Sequence, residues 1–143
     1  MKSQEVALYQ EIQRNTEMAM KAIDTISDKI YDDALAMQMS RQSIRYSELH
    51  NEASRQLVAA KAQSYQGSAL ADAVLKTGLR YNTMLNTSTG RIAELMIKNS
   101  TNGILEMEKA LKHNESAGEK PVALAKRLIE FEEKNVARLK SYL

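Results

Sequence analysis

Apolar residues recur at alternating steps of three and four positions along most of this chain, which is the period of a helix with one buried face. The first such stripe, or seam, is Tyr9, Ile12, Thr16, Ala19, Ile23, Ile26 and Ile30. The second seam is Leu35, Met39, Gln42, Tyr46, Leu49, Ala53, Gln56 and Ala60. Heptad seams of this kind pack helices at shallow crossing angles, so we predict long helices over about residues 3–29 and 32–64.

Polar and turn-forming residues indicate where the helices begin and end. Asp32 is the predicted N-cap of the second helix, because its carboxylate can accept hydrogen bonds from free backbone N–H groups. Gly67 offers the left-handed conformation that stops a helix. The last helix is predicted over about residues 121–142, because Pro121 suits the first helical position.

The region between these helices has to be divided. A single helix over residues 69–113 would be roughly 65 Å long, and no neighbouring helix is long enough to cover it. The two candidate breaks are Gly78 and the polar cluster at residues 87–90. We prefer Gly78, because a helix over residues 80–113 then matches the second helix in length. This choice leaves a short extra helix over residues 69–77.

The composition is typical of an all-helical protein. One proline, five glycines and one Phe beside eight Met argue against β-sheets, whose strands favour aromatic and β-branched residues between turn clusters. We therefore predict an all-α fold in which residues 1–143 form one four-helix-bundle domain. The short extra helix lies between its second and third long helices.

Charge and hydropathy exclude several kinds of partner. Twenty Lys and Arg balance eighteen Asp and Glu, and the charges are interspersed, so nucleic acid is not an expected partner. No segment approaches the run of about 18 apolar residues that spans a membrane, and the N-terminal residues do not resemble a signal peptide. We expect no membrane association and a cytoplasmic location. The absence of cysteine excludes disulfides, thiolate metal sites and a thiol nucleophile.

Polar residues interrupt the seams near the middle of the predicted bundle. Hairpin geometry brings them to about the same height, which predicts one buried polar layer. Its members are Thr16, Gln42, Tyr46, Asn99, Ser100, Asn102, Glu132 and Asn135. Gly103 indicates a close helix approach or a buried polar cluster, because glycine inside a helix costs about 1 kcal/mol relative to alanine. If Asn102 faces Glu132, Asn102→Leu should destabilise the fold by about 1–3 kcal/mol.

Carboxylate di-iron proteins of this architecture hold metal in such a layer, with a Glu from each of two helices and a Glu-x-x-His from each of the other two. The residues three positions before His50 and His113 are Ser47 and Ala110, so the motif is absent from the sequence. Glu132 is the one seam carboxylate where four are needed. We therefore predict no metal and no cofactor, and a layer whose polar groups satisfy one another and set helix register. The alternative is that His50 joins Glu132 on a metal.

Catalytic machinery is not indicated either. Neither histidine falls on a seam position that faces a hydroxyl group, so a nucleophile with its base cannot be assembled. The five glycines are scattered singly and form no phosphate-binding loop. We predict that the protein is not an enzyme and has no catalytic residues.

Several motifs in the second half of the chain resemble a known family. They are Asn82-Thr83-Met84-Leu85, Ser88-Thr89, Ile92-Ala93-Glu94-Leu95-Met96-Ile97, Ser100-x-x-Gly103-Ile104 and Leu128-Ile129-x-x-Glu132-x-x-Asn135-Val136-x-x-Leu139-Lys140-x-x-Leu143. Over residues 81–143 the chain is similar to the C-terminal half of an uncharacterised family of small bacterial proteins with a ferritin-like four-helix bundle. The resemblance implies that fold and a bacterial cytosolic origin, and it supplies no catalytic residues. The chain departs from the family at Asn99, where glycine often stands.

Two functions are compatible with these observations. The first is a non-catalytic helical bundle that acts through protein contacts, either with a second copy of itself in a dimer or with another helical protein. It is suggested by the regularity of the first seam, which can pair with another chain. The alternative is a degenerate ferritin-like protein that binds a metal or a small molecule at the polar layer.

Overall fold

Five α-helices pack together in the part of the chain that the computed structural model describes, which is residues 1–84 and 86–143. They are α1 (Ser3–Ile26), α2 (Asp33–Ala59), α3 (Ala69–Met84), α4 (Thr89–His113) and α5 (Glu119–Leu139). Short 3₁₀ turns, Ser27–Lys29 and Lys140–Tyr142, follow α1 and α5. No strand occurs in the described residues, so the prediction of an all-α fold is confirmed.

Helix α1 is the centre of the packing, because it contacts all four other helices. It forms one hairpin with α2, and α4 forms another with α5. The turn between α4 and α5 lies beside the start of α1, where the Ser116 backbone N–H donates to Gln4 Oε1 at 2.7 Å. Helix α3 follows the second half of α1, held by an ion pair between Lys21 Nζ and Asp72 Oδ2 at 2.8 Å. Within the described residues, none of the helices has the length and apolar character needed to cross a bilayer.

The two predicted seams form much of the core. All members of the first seam are buried except Ile30, which is half-buried. All members of the second seam are buried except Gln56, which is half-buried, and Ala60, which is exposed. These exceptions lie at the ends of the two helices, where fewer neighbouring side chains remain to cover them.

The predicted start of α2 is confirmed, but its predicted end at residue 64 is wrong. Asp32 Oδ1 accepts a hydrogen bond from the Leu35 backbone N–H at 2.9 Å, as an N-cap should. At the other end, α2 stops at Ala59 because side chains of α1 form hydrogen bonds with the backbone that follows. Gln13 Oε1 accepts from the Tyr65 backbone N–H at 2.7 Å, and Gln10 Nε2 donates to the Gln63 carbonyl at 2.7 Å.

The predicted break at Gly78 is also wrong, and with it the predicted helices over residues 69–77 and 80–113. Helix α3 continues through Gly78, and α4 begins at Thr89 in the polar cluster that was the other candidate. Ser88 Oγ accepts from the Arg91 backbone N–H at 3.3 Å and caps the new helix. A glycine costs a helix only about 1 kcal/mol, whereas a cap serves backbone groups that would otherwise be unpaired.

Smaller differences occur at the ends of the first and last helices. Helix α1 turns into a 3₁₀ turn after Ile26, close to its predicted end at residue 29. Helix α5 begins at Glu119, two residues before the expected first residue, Pro121. Proline is tolerated there because it still lies in the first turn, where backbone N–H groups have no intrahelical partner.

Candidate functional site

A buried polar cluster lies between α2 and α5, with Glu132 at its centre. Glu132 is 1% exposed, and its Oε1 accepts a hydrogen bond from the Tyr46 hydroxyl. Asn135, one turn further along α5, places its Nδ2 3.2 Å from Tyr46 Oη and 3.5 Å from Glu132 Oε1. The Phe131 ring packs edge-on against Tyr46 with centroids 4.9 Å apart. One oxygen of the carboxyl group is therefore held by groups from two helices.

Burial sets the protonation state of this carboxyl group. Loss of solvent raises the pKa of Glu132 to about 8, and the hydrogen bond with Asn135 only partly opposes the rise. No cation among the described residues is close enough to lower this pKa. Glu132 is therefore mainly a neutral acid at pH 7, which avoids the large cost of an unpaired buried charge.

Gly103 brings α4 against this cluster from the other side. A Cβ atom at residue 103 would collide with Glu132 Oε2 and would stand 3.2 Å from Asn15 Oδ1. The Asn15 amide also donates from Nδ2 to the Gly103 carbonyl at 3.1 Å, which ties α1 to α4. Gly103 thus marks both features that its position in the sequence indicated, a close helix approach and a polar cluster.

A cleft of about 110 Å³ opens from the Glu132 carboxyl group towards solvent, between α1 and α4. Its polar lining comes from Arg14, Asn15, Asn99, Asn102, Glu106 and Glu132. Met18 and Ala19 of α1 add apolar contacts. The cleft therefore joins a buried acid to a polar rim.

The predicted polar layer is only partly a hydrogen-bonded unit. Its buried members are Thr16, Gln42, Tyr46, Ser100, Glu132 and Asn135. Tyr46, Glu132 and Asn135 bond to one another, but Thr16 Oγ1 donates to the Ile12 carbonyl of its own helix at 2.8 Å. Gln42 Nε2 and Asn135 Oδ1 have no hydrogen-bond partner among the described residues.

The prediction that Asn99 and Asn102 belong to the buried layer is wrong. Asn102 is exposed and Asn99 is half-buried, and both line the cleft instead of lying in the core. The reason is the direction in which α4 faces: its seam residues Ser100 and Met107 point inward, whereas Asn99 and Asn102 lie on the side beside the open cleft. The sequence period places residues on a helix, but the neighbouring helices decide which side is covered.

Two buried amide residues of α1 were not among the predicted site residues. Asn15 is buried beside Gly103, and Gln13 is buried with its Nε2 donating to Ser54 Oγ at 3.0 Å. Both lie next to seam positions, so a wider buried stripe on α1 would have included them. The proposed pairing of His50 with Glu132 does not occur, because His50 Nε2 lies 3.0 Å from Glu17 Oε1 instead.

Metal-binding side chains do not converge in the part of the chain that is described. No group of three or more His, Asp or Glu side chains there could hold an ion. The absence of a metal and of a cofactor stays a prediction.

A second unusual surface is the outer face of α3, which we define by Leu70, Val74, Thr77 and Tyr81. Leu70 is 75% exposed, Val74 65% and Tyr81 74%. The opposite side of α3 is apolar as well, since Leu79 is buried and Leu75 is packed against the core. Helix α3 therefore presents apolar side chains on both faces.

The comparisons with known proteins do not identify this chain. Comparison with protein-family models, with curated proteins and with solved structures finds no match. The resemblance of residues 81–143 to a bacterial ferritin-like family therefore stays a prediction.

Proposed function

We propose that this protein is a non-catalytic helical bundle that acts through protein contacts, and that its contact partner is a second copy of itself bound at the outer face of α3. The observation that carries this proposal is the apolar character of α3 on both faces. Large apolar side chains on one exposed helix face are typical of a surface that another molecule covers. Leu70, Val74 and Tyr81 are each at least 65% exposed in the monomer.

The spacing of these residues favours a second copy as the occupant. Leu70 and Tyr81 are equally distant along α3 from the midpoint between residues 75 and 76, and so are Val74 and Thr77. An antiparallel pair of α3 helices related by a two-fold axis therefore places Leu70 against Tyr81 of the second copy. This is the self-complementary contact that a symmetric dimer requires.

Small residues near that midpoint support close packing. Ala73 and Gly78 are also symmetrically placed, and a Cβ at residue 78 would have no described atom within 4 Å. The middle of the face thus has room for a second helix, with the larger side chains towards its ends. A single helix pair buries less area than a standard interface, so we expect a weak, concentration-dependent dimer.

The exposed apolar residues of α2 suit this role less well. Met37 and Ile44 share one face of α2 with Arg41 and Glu48, at the same spacing that Leu70, Val74, Thr77 and Tyr81 have on α3. Their apolar surface is therefore interrupted by charge, unlike the outer face of α3.

Ferritin-like connectivity is part of the same proposal. Ferritin-like bundles join two helical hairpins by one long crossover, and here the hairpins α1–α2 and α4–α5 are joined by residues 60–88, which include α3. A crossover helix lies outside the bundle, which is consistent with an apolar face left for a partner. A bacterial cytoplasmic setting is proposed from the resemblance of residues 81–143.

Cysteine cross-linking tests the dimer directly, because the chain has no cysteine of its own. Val74→Cys places one thiol near the proposed two-fold axis, and mild oxidation should link two chains covalently, which needs Cα atoms within about 7 Å. Ile44→Cys on α2 is the matched control, since Ile44 is 62% exposed and Val74 is 65% exposed. The control should stay uncross-linked.

Sedimentation equilibrium of the unmodified chain supplies an independent measurement. We expect a monomer–dimer equilibrium that Val74→Glu shifts to monomer, because the change places a charge at the centre of the apolar contact. The proposal is wrong if the unmodified chain is monomeric at all concentrations, or if both cysteine variants cross-link equally. A large cage assembly would also overturn it.

A further inference from the structure

Two acceptor oxygens from different helices converge at the buried end of the cleft. The point at which a side chain of residue 103 would begin lies 3.2 Å from Asn15 Oδ1 and closer still to Glu132 Oε2. The orientation of the Asn15 amide is defined by its Nδ2, which donates to the Gly103 carbonyl. Asn15 and Glu132 both line the cleft, so a group that enters through it can meet both oxygens.

The described residues place no hydrogen-bond donor on Glu132 Oε2. Tyr46 and Asn135 both approach the other oxygen, Oε1. A carboxyl oxygen that lines a cleft and has no hydrogen-bond donor among the described residues is a position where a ligand donor gains a hydrogen bond. The convergence of Asn15 Oδ1 on the same point means that the ligand must bring at least two donors.

The charged and titratable groups around this point leave it without a counter-ion. From α1, Arg14 lines the cleft but pairs with Glu11, with Nη1 and Oε2 3.6 Å apart. From α2, Tyr46 donates to Oε1. From α4, Glu106 adds a second carboxylate, 3.5 Å from Lys109 Nζ. Neither Arg14 nor Lys109 forms an ion pair with Glu132, and α5 adds no other charged residue to the cleft lining.

We propose that this cleft binds the primary ammonium group of a small alkylamine, which donates hydrogen bonds to Glu132 Oε2 and Asn15 Oδ1 while its alkyl chain lies against Met18 and Ala19. An ammonium group is a compact charge with three donors, so it can serve both oxygens at once. The cleft of about 110 Å³ is too small for a drug-sized ligand, which needs about 300 Å³ or more. This site lies on α1, α4 and α5, so it does not rest on the proposed dimer contact of α3.

Binding replaces a proton with the ligand's charge. In the free protein at pH 7, Glu132 mainly holds a proton. When R–NH₃⁺ binds, Glu132 ionises, one proton leaves to solvent and the buried carboxylate is paired with the ammonium group. Burial raises the pKa of Glu132 to about 8, and only ionised Glu132 pairs with the ammonium group. The affinity for R–NH₃⁺ should therefore increase about tenfold for each unit by which pH rises, up to about pH 8.

Isothermal titration with n-butylammonium chloride at constant ionic strength is the primary test. We expect saturable binding at one site, with about one proton released per ligand at pH 7 when buffers of different ionisation enthalpy are compared. The neutral isostere n-butanol should not bind, because it carries no charge to pair with Glu132. Tetramethylammonium should not bind either, since it has charge but no donor.

Substitutions then test whether n-butylammonium binds at Glu132. Glu132→Gln should weaken n-butylammonium binding by at least about tenfold, the loss of one charge-assisted hydrogen bond. It should also abolish proton release. Glu133→Gln is the matched control, because Glu133 is exposed on the same helix, α5, and does not line the cleft, so this variant should bind as the unmodified chain does. Circular dichroism confirms that each variant is folded.

The outcomes separate a free amine from a lysine side chain of another protein, which carries the same ammonium group. Binding of n-butylammonium that exceeds binding of Nα-acetyl-lysine amide identifies a free amine as the ligand, and the reverse order would overturn that part of the proposal. The whole proposal is overturned if n-butylammonium gives no binding, if n-butanol binds as well, or if proton release at pH 7 is zero. The last two results need no variant to fold.

Discussion

The cluster around Glu132 and the outer face of α3 depart from the usual distribution of side chains in opposite directions. In the cluster, a carboxyl group, a phenol and an amide are buried within an apolar core. On α3, Leu70 and Tyr81 stand largely in solvent. Buried polar groups and exposed apolar patches are the two exceptions that carry information about function, because each costs free energy.

The two regions differ in where that cost is compensated. Tyr46 and Asn135 hydrogen-bond one oxygen of Glu132, so the cost of burying it is largely offset within the molecule. The outer face of α3 has no such internal compensation among the described residues. The cluster is therefore stabilised within the monomer, and only Glu132 Oε2 is left without a donor at the cleft, whereas the face of α3 would be covered only in the dimer that we propose.

Two glycines give the sharpest test of this difference, because one lies in each region. Gly103→Ala should destabilise the fold by about 1–3 kcal/mol, since the new Cβ collides with Glu132 Oε2 and overpacks the site. Gly78→Ala should stabilise it by up to about 1 kcal/mol, because alanine is the better helix former and none of the described residues lies within 4 Å of the new Cβ.

Urea unfolding at low protein concentration measures both free energies without a contribution from the dimer. Opposite signs for the two variants would support the assigned packing. Equal effects would show that α4 does not approach Glu132 as closely as described.

The next largest effect on the free energy of unfolding should be its dependence on pH. Burial raises the pKa of Glu132 from 4.5 to about 8, so between these values the folded state holds a proton that the unfolded state has lost. Stability from this group is then fully present below pH 4.5 and is lost as pH rises through 8. The slope is at most about 1.4 kcal/mol per pH unit.

Urea melts at pH 5.5 and pH 7.5 should therefore show a lower free energy of unfolding at the higher pH. Glu132→Gln should remove this difference, because glutamine holds the same position without titrating. A pH dependence that is unchanged in Glu132→Gln would assign it to other groups and would contradict the raised pKa.

The smallest effect is expected for Asn102→Leu, and it revises the expectation from sequence. If Asn102 belonged to a buried layer, the change would cost about 1–3 kcal/mol. Because Asn102 is exposed on the rim of the cleft, we now expect a change within about 0.5 kcal/mol. A larger loss of stability in urea melts would contradict this expectation and would indicate that Asn102 is buried.

The features that could be predicted from sequence are those that depend on neighbouring residues along one helix. The seams of α1 and α2 follow from a period of three and four residues, and most of their positions are buried. Asp32 caps α2 because its carboxylate reaches a backbone N–H three residues away. Gly103 was recognisable because a glycine inside a strong helical pattern needs a steric reason.

Tertiary structure decided everything that depends on which helix covers which side. Helix α2 ends at Ala59 because the amides of Gln10 and Gln13 on α1 hold the backbone of residues 63 and 65. The same applies to the site: whether an amide on a helix lies in the core, as Asn15 does, or on a cleft rim, as Asn102 does, depends on the angle at which α1 and α4 meet. Helical periodicity gives each residue a direction around its own axis, but only packing against the other helices turns that direction towards the core or towards solvent.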